Sequence, residues 1–320
     1  MTSRREFLQT GAAVAGSAFF FGGFSSSAES AVVAGTPFST KLGWKIGPQI
    51  YSFNRFPFAE AIKKVQATGA GSFELYSGQK LSRDVDVRVG PDLLKPENKD
   101  ALKLFKDLLA ETGCKPHAMG VCPADRAHFD FAAAIGFSVI NAEPKFDKID
   151  EVGKLAEEYK FHVGLHNHPK ASIYWDPQIV VDHLKNASPR IGACADTGHW
   201  LRSDLNPVEC LRKLKGHLVS FHIKDLKKTA DGKLDADCVM GQGAVGIADV
   251  LKEVAAQGFK GPFSIEFEAA WDNNVQQVAD SVVFFEETAK EIFQAKSPIE
   301  KARLNRNRNI FSRLRSRLGG

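Results

Sequence analysis

Acidic and histidine residues recur at the ends of short apolar runs in the chain. Three runs carry Asp196-Thr197-Gly198-His199, His222-Ile223-Lys224-Asp225 and Glu266, and two earlier runs end at Glu143 and at His166-Asn167-His168. Carboxylates and imidazoles gathered on one rim would be costly to desolvate unless a positive charge lay among them. The pattern therefore predicts one divalent metal ion, and mixed oxygen and nitrogen ligands suit Mn, Co, Zn, Fe or Mg. The predicted ligands are Glu143, His166, Asp196, His222 and Glu266, and which of Glu143, His166 and His168 completes the set stays open.

Such a centre suits proton transfer on a hydroxy-ketone. A metal chelated by a hydroxyl and a neighbouring carbonyl oxygen acidifies the adjacent C–H, and a carboxylate or imidazole can then remove that proton. If a second group returns the proton elsewhere, the result is isomerisation or epimerisation; if a β-leaving group departs, the result is elimination. The predicted catalytic residues are Glu266, Glu143, His168, His199 and Lys145, and the predicted substrate contacts are Glu74, His199, Trp200, Lys224 and Asp225.

Parallel β-strands and helices are needed to bring these residues together. Apolar, β-branched runs alternate with segments of helical periodicity, which is typical of repeated βα units. The predicted strands are Ile46–Ser52, Ser72–Leu75, Lys115–Gly120, Ser138–Ala142, His162–His166, Ile191–Ala195, Leu218–Ile223 and Phe263–Phe267. The predicted helices are Ala59–Ala67, Asp100–Thr112, Phe129–Ala134, Ile149–Tyr159, Pro177–Lys185, Pro207–Leu214, Ile247–Gln257 and Val275–Phe293. Eight such units predict a single-domain α/β protein, a (β/α)8 TIM barrel over residues 42–295, with its active site at the carboxyl ends of the strands.

Four motifs resemble the xylose isomerase-like sugar phosphate isomerase/epimerase family from about Lys45 to Phe293. They are Glu143, Asp196-Thr197-Gly198-His199, His222-Ile223-Lys224-Asp225 and Ser264-Ile265-Glu266. The resemblance implies a barrel with one catalytic metal held by an acid at strand five, Asp196 at strand six, His222 at strand seven and Glu266 at strand eight. The chain departs from the pattern at strand five, where relatives that epimerise free ketoses carry a glutamate and this sequence has His166-Asn167-His168.

These features together predict a divalent-metal-dependent sugar isomerase or epimerase that acts by proton transfer on a keto-sugar or cyclitol. A metal-dependent lyase or dehydratase acting on a keto-sugar or 3-keto-glycoside is the first alternative. A non-catalytic exported sugar-binding barrel is the second. Apurinic-site endonucleases use a related barrel, but the body of this chain has no basic groove, so a nucleic-acid partner is not expected.

Both ends of the chain are predicted to lie outside the barrel. Residues 1–31 place Ser3-Arg4-Arg5-Glu6-Phe7-Leu8 before a Gly/Ala/Phe-rich stretch and resemble a twin-arginine (Tat) export signal. This implies the Tat machinery as a partner, export in folded form, a periplasmic or extracellular location, and membrane contact that is transient or through an uncleaved signal. Residues 296–320 are strongly basic and are predicted to be a disordered tail, and a homo-oligomer stays open.

Two other patterns are interpreted as structural. The five cysteines are an odd number without a CxxC pair, which favours buried reduced thiols over a disulfide framework. Gly241-Gln242-Gly243-Ala244-Val245-Gly246 matches GxGxxG, but it follows a polar loop and not a strand. We therefore interpret it as a turn before the seventh helix, and no nicotinamide cofactor is expected.

Overall fold

The computed structural model describes residues 35–296, so the predicted export signal and residues 297–320 lie outside the described residues. The strands are β1 Trp44–Pro48, β2 Ser72–Leu75, β3 Lys115–Met119, β4 Val139–Ala142, β5 His162–His166, β6 Ile191–Asp196, β7 Leu218–Ile223, β8 Asp225–Lys228, β9 Leu234–Cys238 and β10 Gly261–Ile265. The α-helices are α1 Pro37–Leu42, α2 Phe58–Ala67, α3 Lys99–Thr112, α4 Arg126–Ile135, α5 Ile149–Tyr159, α6 Pro177–Leu184, α7 Thr197–Arg202, α8 Pro207–Lys213, α9 Ile247–Ala256 and α10 Val275–Lys296. Short 3-10 helices span Ile50–Phe53, Pro91–Leu94, Pro96–Asn98 and Phe146–Lys148.

Eight strands form one parallel sheet in the order β1-β10-β7-β6-β5-β4-β3-β2. An isolated parallel bridge between Gln49 and Glu74 joins the two edge strands, so the sheet curls into a nearly closed ring. Gly47 lies at this seam, where an added Cβ would be 1.6 Å from the carbonyl oxygen of Ser72. The seam thus depends on glycine, and the predicted (β/α)8 barrel is confirmed.

The outward faces of the strands pack against the helices. Phe221 and Phe263 stack at 4.5 Å between ring centroids, and Trp44 and Phe285 each lie within 6 Å of Phe263. The helices present apolar stripes to this layer, as buried parallel sheets require. All five cysteines are buried and free, which agrees with the predicted thiols. None of the helices between residues 35 and 296 has the length and apolar character needed to cross a membrane.

Several local features differ from the prediction, among them helices α1 and α7, which were not predicted, and β10, which begins and ends two residues earlier than predicted. The first strand ends at Pro48, and the chain then forms a 3-10 helix from Ile50 to Phe53, in which the Tyr51 amide donates to the Gln49 side chain at 2.7 Å. The antiparallel β8–β9 hairpin was not predicted. Its sequence around Lys228 to Asp235 is rich in charge and resembles a solvated loop, so neither alternation nor apolar character indicated strands.

Candidate metal centre

Four side chains converge at the carboxyl end of the barrel. Residues two apart on a strand share a face, and the last inward positions of β5, β6 and β7 are His166, Asp196 and His222. Glu266 follows β10 directly. One nitrogen or oxygen atom from each of the four lies within 4.8 Å of those from the others. All four residues are buried, so their charges and lone pairs must be satisfied inside the protein.

Three of the converging atoms have no hydrogen-bond partner among the described residues: His166 Nε2, Asp196 Oδ2 and His222 Nδ1. His166 Nε2 lies 3.6 Å from Asp196 Oδ2, and His222 Nδ1 lies 3.2 Å from Glu266 Oε2. Buried polar atoms are rarely left unpaired, because each costs free energy. Unpaired electron-pair donors from three neighbouring strands that face one space fit a bound cation. Two imidazoles and two carboxylates suit a first-row transition metal such as Zn, Fe, Co or Mn.

Carboxylates outside the centre orient both histidine rings. Glu143 Oε1 lies 3.1 Å from His166 Nδ1, and Glu74 Oε1 lies 2.9 Å from His222 Nε2. A carboxylate on the far nitrogen of a metal-binding histidine fixes its ring and tautomer. Glu143, predicted as a ligand, thus contacts the far nitrogen of His166 and also forms a second group of possible metal ligands with His166 and His168. Glu74, predicted as a substrate contact, lies against the far nitrogen of His222. Glu74 is fully buried, and its carboxylate accepts hydrogen bonds from His222, Asn141 and Ser264.

Lys224 brings a positive charge to the same group. Its Nζ lies 3.3 Å from Asp196 Oδ2, 2.9 Å from Glu266 Oε2 and 2.6 Å from Glu268 Oε1. Burial lowers the pKa of Lys224, but these carboxylates outweigh it and hold the pKa well above its usual value. One ammonium is thus shared among three carboxylates.

The Asp196-Thr197-Gly198-His199 motif has a geometric explanation. Asp196 Oδ1 accepts a hydrogen bond from the His199 amide at 2.8 Å and caps α7, which leaves Oδ2 for the centre. A Cβ on Gly198 would lie 2.2 Å from Lys224 Cγ, so glycine provides the space for the lysine stem. The motif therefore positions a carboxylate and an ammonium at once.

His168 and His199 flank the centre with different protonation behaviour. His168 donates from Nδ1 to Glu143, and this hydrogen bond raises the pKa of His168. Burial lowers the pKa of His199 to about 3, although the charge of Asp196 opposes the shift. Two groups that can only donate flank this ring: Arg202 Nη1 lies 3.3 Å from His199 Nδ1, and Lys224 Nζ lies 3.5 Å from His199 Nε2. The ring centroids of His168 and His199 are 5.2 Å apart.

Burial raises the pKa of Glu143, but hydrogen bonds from His166 and His168 outweigh this effect and bring the pKa to about 2. Glu143 therefore stays ionised at any physiological pH. For Asp196 and Glu266 burial also acts upward, whereas the surrounding lysine and imidazole groups hold both pKa values well below their usual range. The centre thus presents unprotonated oxygen ligands.

Three other predicted residues lie apart from the converging atoms. Asp225 is buried, and its carboxylate accepts from the amides of Leu226, Gly241, Gly243 and Val245 at 2.9 to 3.0 Å. It therefore anchors the GxGxxG loop and has no oxygen directed to a substrate. Trp200 is 1% exposed in the core, so it does not present a face to a substrate. Lys145 is exposed and lines a cavity of about 540 Å3 that also includes Glu143.

Several residues of the site were not predicted. Glu268 pairs with Lys224, and the buried Asp237 accepts from Arg202 at 2.6 Å and from the Glu268 amide at 2.8 Å. At the mouth, Tyr51 packs edge-on against Tyr76 and Trp271, with ring centroids 4.8 and 5.9 Å apart. The Glu266-Phe267-Glu268 alternation places both acids on one face and could have indicated the second one.

Comparison with known proteins supports the fold. Residues 143–288 match the model of the Xylose isomerase-like TIM barrel family. An inosose dehydratase of Bacillus cereus (strain AH820) is 25% identical over 135 residues, which are 38% of this chain and 45% of the relative. The alignment thus spans less than half of that relative's length.

Two solved structures share the whole barrel. An uncharacterized protein from Parabacteroides distasonis ATCC 8503 is 29% identical and superposes with a TM-score of 0.60, covering 77% of this chain and 99% of that chain. A D-tagatose 3-epimerase-like protein is 18% identical with a TM-score of 0.60, covering 79% of this chain and all of that chain. The protein therefore has the xylose isomerase-like TIM barrel fold, and its four converging side chains all lie in the segment that matches this family's model.

Proposed function

We propose that the protein is a divalent-metal-dependent enzyme that removes a proton beside the carbonyl of a keto-sugar or cyclitol and completes the reaction as a lyase. The observation that carries the proposal is the convergence of buried atoms of His166, Asp196, His222 and Glu266 on one space, three of them without a hydrogen-bond partner within residues 35–296. When bound there, a divalent ion would polarise a chelated carbonyl and acidify the neighbouring C–H.

Glu266 is the proposed base. Its pKa is held well below the usual range by Lys224 and His222 against the effect of burial, so it is unprotonated at neutral pH. Lys224, 2.9 Å from Glu266 Oε2, places an ammonium beside the atoms that take part. A fixed positive charge there stabilises the negative charge that develops on a substrate oxygen as the proton leaves carbon.

His168 is the proposed acid. Glu143 fixes its Nδ1 and raises its pKa, and its side chain is 47% exposed, so it can regain a proton from solvent. In the proposed reaction Glu266 takes the proton from the carbon next to the carbonyl and a C=C bond forms. The bond to the β-oxygen breaks, and His168 protonates the departing oxygen. The proton count then balances without another reactant.

The sequence alone favours isomerisation or epimerisation as the first prediction. In the structure β5 supplies no second carboxylate opposite Glu266, and this asymmetry of the centre favours elimination. Epimerisation by two opposed bases needs a second carboxylate across the substrate from Glu266. The corresponding strand, β5, instead supplies His166, whose Nδ1 is already held by Glu143. The similarity to an inosose dehydratase supports the same choice, because that protein's name describes removal of water from a cyclitol ketone. An epimerase remains the second candidate, supported by the structural similarity to an epimerase-like barrel.

The mouth supports a sugar-like substrate. Tyr51, Tyr76 and Trp271 form an aromatic cluster there, and Tyr51 lies close enough to Glu266 and Glu268 for their charges to raise its pKa, after the larger effect of burial. Aromatic rings bury the apolar faces of a sugar ring, while the charged centre binds its hydroxyl and carbonyl oxygens.

The test is reaction of chelator-treated protein, reloaded separately with Zn, Mn, Co, Fe or Mg, with inososes, keto-sugars and 3-keto-glycosides in deuterated water. Metal-dependent formation of an unsaturated or dehydrated product, followed by NMR, is the expected result. Deuterium incorporation with a rearranged sugar and no elimination would instead establish the isomerase or epimerase. Failure to bind any ion, with no exchange, would favour the non-catalytic sugar-binding barrel.

We also propose that the protein is exported in folded form, because Arg4 and Arg5 precede a Gly/Ala/Phe-rich segment within residues 1–31. Replacement of both arginines by lysine should leave the protein in the cytoplasmic fraction, whereas the wild-type protein should be recovered outside it. Equal distribution of the two proteins would contradict export by this route.

A further inference from the structure

A column of hydrogen-bonded polar side chains continues from the centre into the barrel. His222 Nε2 lies 2.9 Å from Glu74 Oε1, Glu74 Oε2 lies 2.5 Å from Ser264 Oγ, and Ser264 Oγ lies 3.0 Å from His117 Nε2. All four residues are at most 5% exposed. Bulky apolar side chains usually fill a TIM barrel, so a buried charged column calls for a specific role.

The direction of each hydrogen bond follows from the groups themselves. The Glu74 carboxylate can only accept, and it receives hydrogen bonds from His222, from Asn141 at 2.9 Å and from Ser264. Because Ser264 has a single hydroxyl proton and gives it to Glu74, its oxygen must accept from His117 Nε2. Every donor in the column therefore points toward Glu74.

This arrangement determines which atom of His222 faces the centre. Glu74 accepts from the Nε2–H of His222, so Nδ1 is the ring atom that faces the centre, 3.2 Å from Glu266 Oε2. If Ser264 lost its acceptor role, its hydroxyl would be free to turn and Glu74 would lose one of three restraints. The ring of His222 would then be held less firmly.

A glycine beside the column leaves room for the side chains that contact it. An added Cβ on Gly164 would lie 2.6 Å from Asn141 Oδ1 and 2.8 Å from Ser220 Oγ, and Ser220 donates to Asn141 Oδ1 at 2.5 Å. Glycine on β5 thus leaves room for the groups that support Glu74 from the side. His117 itself comes from β3, where the pairing with β2 shifts register between Phe73 and Glu74.

We propose that His117 is a positioning residue for the metal centre, which it supports through Ser264 and Glu74 from the amino-terminal half of the barrel. The inference rests on the proposed function, because metal binding is its readout. Partners that orient a ligand histidine typically change metal affinity about 10- to 100-fold when they are removed. His117 is two hydrogen bonds from Glu74, so the lower part of that range applies.

The test compares the affinity of the chelator-treated protein for Zn²⁺ and Co²⁺ by competition with a chromophoric chelator. His117→Phe keeps a ring but removes the donor, and Ser264→Ala interrupts the column; each should weaken binding roughly tenfold. The double variant should be no weaker than Ser264→Ala alone, since residues that act through one path are not additive. His117→Gln keeps an N–H donor and should restore most of the affinity.

His162→Gln is the matched control, because His162 lines the same cavity of about 270 Å3 at the amino-terminal end as His117 but is outside the column. The visible spectrum of the Co²⁺ protein should shift in His117→Phe and not in the control. Should phenylalanine prevent folding, Ser264→Ala and His117→Gln carry the comparison. Unchanged metal affinity in both His117→Phe and Ser264→Ala, or additive losses of affinity in the double variant, would overturn this inference and leave the proposed function standing. Wild-type protein that binds neither ion would overturn the proposed function together with it.

Discussion

One carboxylate oxygen of Asp196 caps α7, and the other faces the proposed metal centre. A substitution at Asp196 therefore tests the centre directly. Asp196→Asn keeps an oxygen that can cap α7 but removes the charge beside His166 and Lys224. We expect metal content after dialysis to fall from one ion per chain toward none, with the fold retained. Elemental analysis and circular dichroism measure the two effects.

Asp237→Asn is the control for this change. Asp237 is also buried and paired with a cation, Arg202, but it supplies no atom to the four converging groups. Its variant should keep the metal while losing some stability. Equal metal loss in both variants would mean that general electrostatics, and not ligation by Asp196, retains the ion.

His117 also predicts a pH dependence of stability. Burial lowers its pKa from 6.5 to about 4. Because the unfolded chain then binds a proton that the folded barrel does not, stability falls as the pH decreases from 6.5 to about 4. The loss is at most ~3 kcal/mol for such a shift. In urea unfolding, His117→Gln should show a smaller loss than wild type over this interval; identical curves would contradict the shift.

The convergence of some predicted side chains follows from the sequence more directly than that of others. Asp196, His222 and Glu266 each end an apolar run whose alternation directs them into the barrel, so their convergence follows from the strand period. The choice between Glu143 and His166 depends on which ring nitrogen faces inward. That orientation is set by a hydrogen bond between His166 of β5 and Glu143, which follows β4, and no local sequence pattern indicates this contact.

The bounds of some strands follow from the sequence more closely than those of others. The strands were predicted nearly to the residue where apolar runs are bounded by glycine or by polar turns, as in His162–His166 and Leu218–Ile223. The end of β1 was predicted too late, because Ile50 and Phe53 are buried in a 3-10 helix and are as apolar as strand residues. Burial, and not strand pairing, accounts for their apolar character.

The loop before α9 depends on a single side chain. Three amides of this loop and the amide of Leu226 donate to the Asp225 carboxylate. A Cβ on Gly243 would lie 2.2 Å from Asp225 Oδ1. Asp225→Ala leaves these buried amides without their acceptor, at a cost of about 1–3 kcal/mol or more. We expect fast hydrogen exchange at Gly241, Gly243 and Val245 and a lower urea midpoint. Asp249→Ala, at the start of α9, should change neither, and protected amides in Asp225→Ala would contradict the role.

Closure of the whole barrel depends on the seam between β1 and β2. In Gly47→Ala the new Cβ would lie 1.6 Å from the Ser72 carbonyl oxygen, so the two strands must separate. Gly71→Ala is a matched control one residue away from that carbonyl, with no atom within 4 Å of its Cβ. Urea unfolding should show a loss of several kcal/mol, of the order that backbone displacement costs, for Gly47→Ala only. Similar midpoints for both variants would show that the seam can open without cost.

Lys224 supplies a positive charge to the proposed metal centre in the metal-free protein. An ammonium within 3.3 Å of Asp196, Glu266 and Glu268 compensates part of their charge whether or not a cation is bound. If the proposed ion binds a barrel that is already folded, its contribution to stability grows with the logarithm of the free ion concentration. In the proposed enzyme, the metal supply would then set the fraction of folded protein that is active.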